Sequence, residues 1–137
     1  MAKSSDSKIS RFSEQCAGER ITVGVDVHKH SYHVALLSRN GVSDDFSMPS
    51  DNSHLTQLLL RLPVTVDCVA YEAGPTGFSL ARSLASAGIP VIVAAPTRIP
   101  RPIGPSNKTD RLDCRKLADF ASRGLLRSIA IPSEWEE

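Results

Sequence analysis

Three features are scarce in this sequence: cysteine, net charge of one sign, and long hydrophobic runs. The three cysteines are an odd number without CxxC spacing, which argues against a disulfide framework or a zinc ribbon and is typical of a reducing cytosol. The formal net charge of +1 excludes a uniformly basic protein, so contact with nucleic acid requires locally clustered charge. No apolar run reaches membrane-spanning length, and residues 1–20 lack the apolar core of a secretory signal. We therefore expect a soluble, cytoplasmic protein without membrane contact.

The length of 137 residues is sufficient for one domain with its own hydrophobic core. Residues 1–20 carry scattered charges and predict a flexible tail or a short peripheral helix. The patterned part of the chain, residues 21–130, is expected to form the domain. Residues 131–137 resemble a boundary toward a further segment. No internal repeat is present, which excludes a repeat architecture.

Hydrophobic patterning predicts a mixed sheet. The stretch "ITVGVDVH" (21–28) is almost continuously apolar, as a strand covered on both faces requires. The stretches "SYHVALLS" (31–38) and "VSDDFSM" (42–48) flank the turn signal "RNG", so we expect an antiparallel hairpin. The stretches "VTVDCVAYEA" (64–73) and "IPVIVAAP" (89–96) predict two further buried strands.

Three helices are expected after the hairpin. Leucines at helical spacing within residues 55–62 predict the first, and "FSLARSLASAG" (78–88) predicts the second, ended by Gly88. A loop rich in proline, residues 97–107, precedes a last helix from about Thr109 to Arg123. A meander followed by alternating helices and strands is the element order of the ribonuclease H-like fold, an α/β fold with a mixed sheet flanked by helices.

Four acidic residues fall at informative positions in this order. Asp26 interrupts the most hydrophobic strand, where a buried carboxylate is costly unless it is paired or binds a cation. Glu72 ends another buried strand, at the edge where ligand sites of α/β sheets gather. Asp110 and Asp113 are three residues apart, which predicts that both project from one face of the last helix. If the two strands are parallel neighbours, the four carboxylates converge.

Such a cluster of carboxylates is strongly self-repulsive at neutral pH. One or two hard divalent cations with oxygen ligands would neutralise it, and a pair of ions can stabilise the attacking and leaving oxygens of a phosphodiester displacement. Simpler interpretations exist for single residues. Asp110 and Asp113 could lie on a solvated helix face, and Glu72 could contact the N-terminus of the following helix. Asp26 has few structural explanations of this kind.

Histidines and basic residues surround the acidic positions. His28, His30 and His33 could in principle bind a transition metal, but alternation along a strand separates them, and a polar loop or sheet surface is favoured. Basic residues outnumber acidic residues from residue 98 to 116. They could contact phosphates, or they could only make the surface soluble. The candidate nucleic-acid contacts are Lys29, Arg98, Arg101, Lys108, Arg111 and Arg115.

Four motifs together resemble a known family. They are "VGVDVHK" (23–29), "AYEAGPTGFSLARSL" (70–84), "AAPTRIP" (94–100) and "NKTDRLDCRKLA" (107–118). This ordered set is similar to the N-terminal, RuvC-like domain of the DEDD transposases of the insertion-sequence one-ten group. These enzymes are bridge-RNA-guided recombinases related to the Piv-type DNA invertases. The resemblance covers about residues 20–130 and implies a ribonuclease H-like fold.

The resemblance also implies a function. The catalytic, metal-binding tetrad would be Asp26, Glu72, Asp110 and Asp113, with Mg²⁺ or Mn²⁺ as the cofactor, in two ions. The implied activity is to cut and rejoin DNA with a guide RNA, in a dimer or tetramer. Members of this family carry a C-terminal domain with a nucleophilic serine, which we expect to be missing here, and Ser79 is interpreted as a helix-surface residue instead. Cys114 stands where the family commonly has alanine.

Two functions of other classes compete with this one. An actin-like ATPase or sugar-kinase lobe shares the strand order and the early strand aspartate, but it needs a glycine-rich phosphate loop, and "HKHSYH" (28–33) contains no glycine. A non-catalytic module could bind nucleic acid or dimerise while its acids coordinate nothing. Metal binding distinguishes this module from the transposase domain.

Overall fold

The computed structural model describes residues 2–74, 78–94 and 113–128, in which five strands form one mixed sheet. The strands are β1 (Arg20–Val27), β2 (Ser31–Ser38), β3 (Ser43–Pro49), β4 (Thr65–Glu72) and β5 (Val91–Ala94). Their order across the sheet is β3-β2-β1-β4-β5. The β1–β2 and β2–β3 pairs are antiparallel, whereas β1–β4 and β4–β5 are parallel. The predicted ribonuclease H-like topology is therefore confirmed.

Helices cover both faces of this sheet. They are α1 (Ala2–Cys16), α2 (Asn52–Arg61), α3 (Ser79–Ser86) and α4 (Cys114–Ser122). Helix α2 begins where Asp51 caps it by accepting a hydrogen bond from the backbone N–H of His54 at 2.9 Å. Its buried leucines confirm the predicted apolar stripe. Within the described residues, none of the helices is long and apolar enough to cross a membrane.

The N-terminal segment is helical rather than a flexible tail. Phe12 and Cys16 of α1 are fully buried in the main core. On the same helix, Arg11 forms an ion pair with Asp44 of β3, and Lys8 donates a hydrogen bond to the backbone oxygen of Asp45. Of the two structures expected for residues 1–20, a peripheral helix is observed and a flexible tail is not. The helix is fixed because its apolar side chains are buried in the core.

The two faces of the sheet differ in chemistry. One face carries the large apolar side chains of all the strands, which pack with α1, α2 and α3 to form the main core. The other face carries small residues in the middle of the sheet: Gly24 of β1 lies between Ala35 of β2 and Ala70 of β4. Helix α4 packs there, with Cys114 and Ala118 against Ala35. Small residues are required because the backbone of α4 comes very close to the sheet.

The hairpin of β2 and β3 sets which residues share the α4 face. Gly41 adopts a φ of +89°, and its N–H bonds to the carbonyl of Ser38 at 3.0 Å, so the predicted "RNG" turn is confirmed. The register pairs Ala35 with Asp45 and His33 with Ser47. Since side chains alternate along a strand, these residues all point toward α4.

The last helix begins later than predicted. We expected a helix from about Thr109, but α4 starts at Cys114, and Asp113 has the extended backbone of an N-cap, with φ −78° and ψ 173°. Its Oδ1 accepts a hydrogen bond from the N–H of Lys116 at 2.9 Å, which satisfies a free donor of the first turn. The interpretation of Asp113 as a residue on a helix face is therefore wrong; it precedes the helix.

Candidate functional site

Asp26 and Glu72 occupy equivalent positions on neighbouring parallel strands. The register of β1 and β4 pairs Val25 with Tyr71, and the two acids are the next residues along each strand. Adjacent residues of parallel strands point to the same face, here the one that carries Gly24 and α4. Both side chains are partly buried. The carboxyl ends of β1 and β4 thus present two carboxylates side by side, at the edge of the sheet where α/β proteins bind ligands.

Asp113 is brought to the same face by the packing of α4. A Cβ atom on Gly24 would lie 2.6 Å from the backbone nitrogen of Ala118 and would also collide with the carbonyl oxygen of Cys114. The absence of a side chain at Gly24 therefore lets the first turn of α4 rest directly on β1. Asp113 directly precedes Cys114, one of the residues that Gly24 contacts, and Asp26 lies two residues beyond Gly24 along β1.

The thiol of Cys114 lies in a buried and acidic environment. Burial raises the pKa of this thiol, and the carboxylates of Asp45, Asp113 and Asp26 raise it further, to about 12. All three carboxylates disfavour a negative charge on this sulfur. Asp26 of β1 and Asp113 of the α4 N-cap therefore share one electrostatic environment.

A histidine stands beside Asp26. Nε2 of His28 lies 3.0 Å from Oδ2 of Asp26, and the imidazole is exposed. This contact holds the Asp26 carboxylate in place at the end of β1, and a protonated His28 would partly neutralise it. The two residues are close in the sequence "VDVH". Alternation along a strand places them on one face but did not by itself predict that their side chains would be in contact.

The acids are assembled on one face but do not form a closed cage. Within the described residues, the ligand atoms of Asp26, Glu72 and Asp113 do not constitute a group in which all lie within 4.8 Å of one another. The predicted fourth member, Asp110, lies outside the described residues. The three donors are all carboxylate oxygens, which suit hard cations such as Mg²⁺ and Mn²⁺ rather than soft ones. The donor chemistry therefore fits the cation that the sequence predicts.

Two of the predicted basic contacts lie within the described residues. Lys29 is exposed in the connection between β1 and β2, directly beyond Asp26 and His28. Arg115, in the first turn of α4, is about half exposed and is engaged in an ion pair with Asp45. The other predicted contacts lie outside the described residues: Arg98, Arg101, Lys108 and Arg111.

A polar network beside the acids was not predicted. Asp45 of β3 accepts hydrogen bonds from Nε2 of His33 at 2.6 Å and from the guanidinium of Arg115. Nδ1 of His33 lies 2.8 Å from Oγ of Ser47. Partial burial opposes ionisation of Asp45, but the hydrogen bonds from His33 and Arg115, together with their charges, outweigh it and lower the pKa of Asp45. The network ties the first turn of α4 to the hairpin.

The chain is similar to known transposases. The family model of the IS110-type DEDD transposases, described as a transposase, matches residues 23–137. The transposase for insertion sequence element IS1533 of Leptospira borgpetersenii is 34% identical over 104 residues, which are 72% of this chain and 30% of that protein. A protein of Sinorhizobium fredii provisionally named transposase y4qE is 35% identical over 120 residues, which are 84% of this chain and 31% of that protein.

The similarity covers most of this chain but a smaller part of its relatives. The chain spans about a third of the length of the two curated relatives. The family match begins within β1 and includes Asp26, Glu72 and Asp113, together with α4. With the ribonuclease H-like sheet and the acids on its α4 face, these similarities show that the chain belongs to the IS110-type family of DEDD transposases.

Proposed function

We propose that this chain is the metal-dependent catalytic domain of a DNA transposase, with Asp26, Glu72 and Asp113 as cation ligands. The observation that carries the proposal is the pairing of Asp26 and Glu72 at the ends of adjacent parallel strands, on the face where Asp113 caps α4. Asp110 is proposed as the fourth ligand. We infer Mg²⁺ or Mn²⁺, in two ions, because the ligands are hard oxygen donors.

The chain's own residues have three tasks in this proposal. Asp26 and Glu72 hold cations from a rigid sheet, and the contact with His28 fixes the orientation of the Asp26 carboxylate. Asp113 uses Oδ1 to cap α4, so the geometry of its carboxylate is set by the helix that follows. Bound divalent ions would polarise the scissile phosphate and stabilise the attacking and leaving oxygens.

Basic residues would hold the DNA backbone next to these carboxylates. Lys29 is exposed at the end of β1 and can contact a phosphate without rearrangement of the sheet. Arg115 can do so from the rim, through the exposed part of its guanidinium. The same role is proposed for Arg98, Arg101, Lys108 and Arg111, whose positive charges precede α4 in the sequence.

Several parts of the proposal concern the whole recombinase rather than this domain. We infer that strand cleavage and rejoining, a guide RNA, and assembly into a dimer or tetramer belong to a protein that also contains a C-terminal, serine-bearing domain. The support is the family membership and the fact that the chain spans about a third of its curated relatives. The described domain would then contribute the metal site.

A non-catalytic nucleic-acid-binding module remains the competing function. The two functions differ in how DNA affinity depends on divalent ions. Without cations, the carboxylates at the ends of β1 and β4 repel phosphate, so a catalytic domain should bind DNA more tightly when Mn²⁺ is present. A module that binds through basic residues alone should lose affinity when Mn²⁺ is added, since Mn²⁺ competes with those residues for the DNA phosphates.

The test is the equilibrium affinity of the chain for a short DNA duplex, with and without Mn²⁺ at constant ionic strength. We expect Mn²⁺ to increase the affinity of the wild type, and Asp26→Asn to remove this increase while binding DNA at least as well as the wild type without metal. Asp119→Asn is the matched control, because Asp119 lies on α4 but is paired with Arg123 at 3.1 Å. A wild type whose affinity is not increased by Mn²⁺ would contradict the proposal, and a decrease would favour the non-catalytic module.

A further inference from the structure

Three donors of different chemistry meet beside the proposed catalytic acids. A ring nitrogen of His33, a carboxylate oxygen of Asp45 and the sulfur of Cys114 all lie within 4.8 Å of one another. They come from three elements, β2, β3 and α4, so the group exists only in the folded domain. We propose that these three side chains form a second cation site, selective for a borderline-soft divalent ion of the zinc class and distinct from the site of Asp26 and Glu72.

The ligand set determines which ion would bind. Nitrogen, oxygen and thiolate sulfur are the donors of zinc and cobalt sites, whereas Mg²⁺ prefers oxygen alone and discriminates against sulfur. Three protein ligands leave the fourth tetrahedral position for water. Donors within 4.8 Å of one another need only a small contraction to reach a common ion at metal–ligand distances of about 2.0 to 2.3 Å.

Outer contacts that orient metal ligands are already in place. Nε2 of His33 and Oδ2 of Asp45 share a hydrogen bond of 2.6 Å, and the ion would take the place of that proton. The other nitrogen, Nδ1, lies 2.8 Å from Ser47 Oγ, which can accept its proton and leave the lone pair of Nε2 for the ion. Arg115 holds the other oxygen of Asp45. Both ligands are thus oriented by a second partner, as in established metal sites.

The site is accessible to a cation from solvent. Cys114 is only 3% exposed and forms the floor of the site, while the side chains of His33 and Asp45 are 39% and 21% exposed and open it to solvent. The thiol proton would pass to solvent as the sulfur–metal bond forms.

The experiment is a Co²⁺ titration of the full chain, followed by absorption. Thiolate coordination produces a sulfur-to-cobalt charge-transfer band, and tetrahedral Co²⁺ gives intense visible bands. We expect both bands in the wild type, their loss when Zn²⁺ is added, and no loss with an excess of Mg²⁺. The charge-transfer band should be absent in Cys114→Ala, and Ser47→Ala should weaken Co²⁺ binding about tenfold through loss of the outer contact.

Two controls separate this site from other thiols and from the catalytic acids. Cys68→Ala should leave the bands unchanged, because Cys68 lies on β4 away from the group. Asp26→Asn should retain the charge-transfer band, because Asp26 is not a ligand of this site, so the inference stands or falls independently of the proposed function. His33→Gln provides a second variant if Cys114→Ala fails to fold. A wild type without the charge-transfer band, or a band that survives in His33→Gln and Cys114→Ala, would overturn the inference.

Discussion

Gly24 of β1 and Cys114 of α4 are in backbone contact: any Cβ at position 24 would collide with the carbonyl oxygen of Cys114. The neighbouring atom is main chain within a helix, so it cannot move aside as a flexible side chain could. Gly24→Ala should therefore lower the free energy of unfolding by about 1–3 kcal/mol and displace α4, together with Asp113, from the sheet. Urea denaturation measures this change.

Gly74→Ala is the matched control for that substitution. Gly74 follows β4 close to Glu72, and a Cβ there would have its nearest neighbour at 3.9 Å, an ordinary van der Waals distance. We expect its free energy of unfolding to change by less than about 0.5 kcal/mol. If Gly24→Ala and Gly74→Ala destabilise the protein equally, the close contact between Gly24 and α4 does not require a glycine.

Asp45→Asn should weaken the connection between the hairpin and α4. The substitution removes the charge that pairs with Arg115 and His33, and we expect a loss of about 1 kcal/mol in the free energy of unfolding at neutral pH, because these groups are partly exposed. The pKa of Asp45 is lowered in the folded state, so its contribution is complete above the ordinary value of 3.8 and disappears as the pH falls below it.

The check for Asp45 is urea unfolding of both proteins over a series of acidic pH values. The difference in stability between wild type and Asp45→Asn should shrink as the pH falls below 3.8. Asp44→Asn is a useful comparison because Asp44 lies on the opposite face and pairs with the exposed Arg11 at 3.4 Å. A difference for Asp45→Asn that is constant with pH would contradict an ionised, paired Asp45.

Cys114 should make the domain less stable at alkaline pH. Its pKa is raised from 9.0 to about 12 in the folded state, so between these values the unfolded chain loses the proton and the folded state does not. The free energy of unfolding should therefore fall by about 1.4 kcal/mol for each pH unit across this range, relative to Cys114→Ala. The free energy of unfolding of both proteins is measured against pH without divalent ions. The same pH dependence in the two proteins would contradict the burial of this thiol among carboxylates.

The strand order could be predicted because its signals are local. The apolar run around Asp26 required a central strand, and the turn at Gly41 required a hairpin, so the meander followed from adjacent segments. The position of Glu72 next to Asp26 followed from the parallel crossover. The start of α4 could not be derived in the same way, because both Thr109 and Asp113 are good N-cap residues and the spacing of acids fits either start.

The network around Asp45 depends on register, which the sequence pattern alone did not provide. Asp44 and Asp45 are adjacent and look equivalent in "VSDDFSM", yet alternation sends them to opposite faces. Asp44 meets Arg11 of α1, whereas Asp45 meets His33 and α4. The histidine was weighed as a metal ligand only with His28 and His30, its neighbours in sequence, although its partners in space come from β3 and α4.

Lys29 should contribute to DNA affinity through charge alone. Its side chain is exposed beyond the end of β1, where it can reach a phosphate next to the acidic site. We expect Lys29→Ala to weaken binding similarly for all DNA sequences and to reduce the salt slope, the dependence of log affinity on log salt concentration, by about 1. The control is Arg61→Ala, which removes the same charge from the far end of α2. Identical salt slopes for Lys29→Ala and the wild type would exclude this contact.

The most direct test of the central claim is the binding of Mn²⁺ to the acids on the α4 face. Electron paramagnetic resonance measures free Mn²⁺, and the Cys114→Ala background excludes the second site. We predict saturable binding in this background that Asp26→Asn and Glu72→Gln each weaken at least about tenfold, because each variant removes one charged ligand. Asp119→Asn should bind as its parent does. Binding that is absent in the parent, or that is unchanged in Asp26→Asn and Glu72→Gln, would contradict a metal site built from these strands.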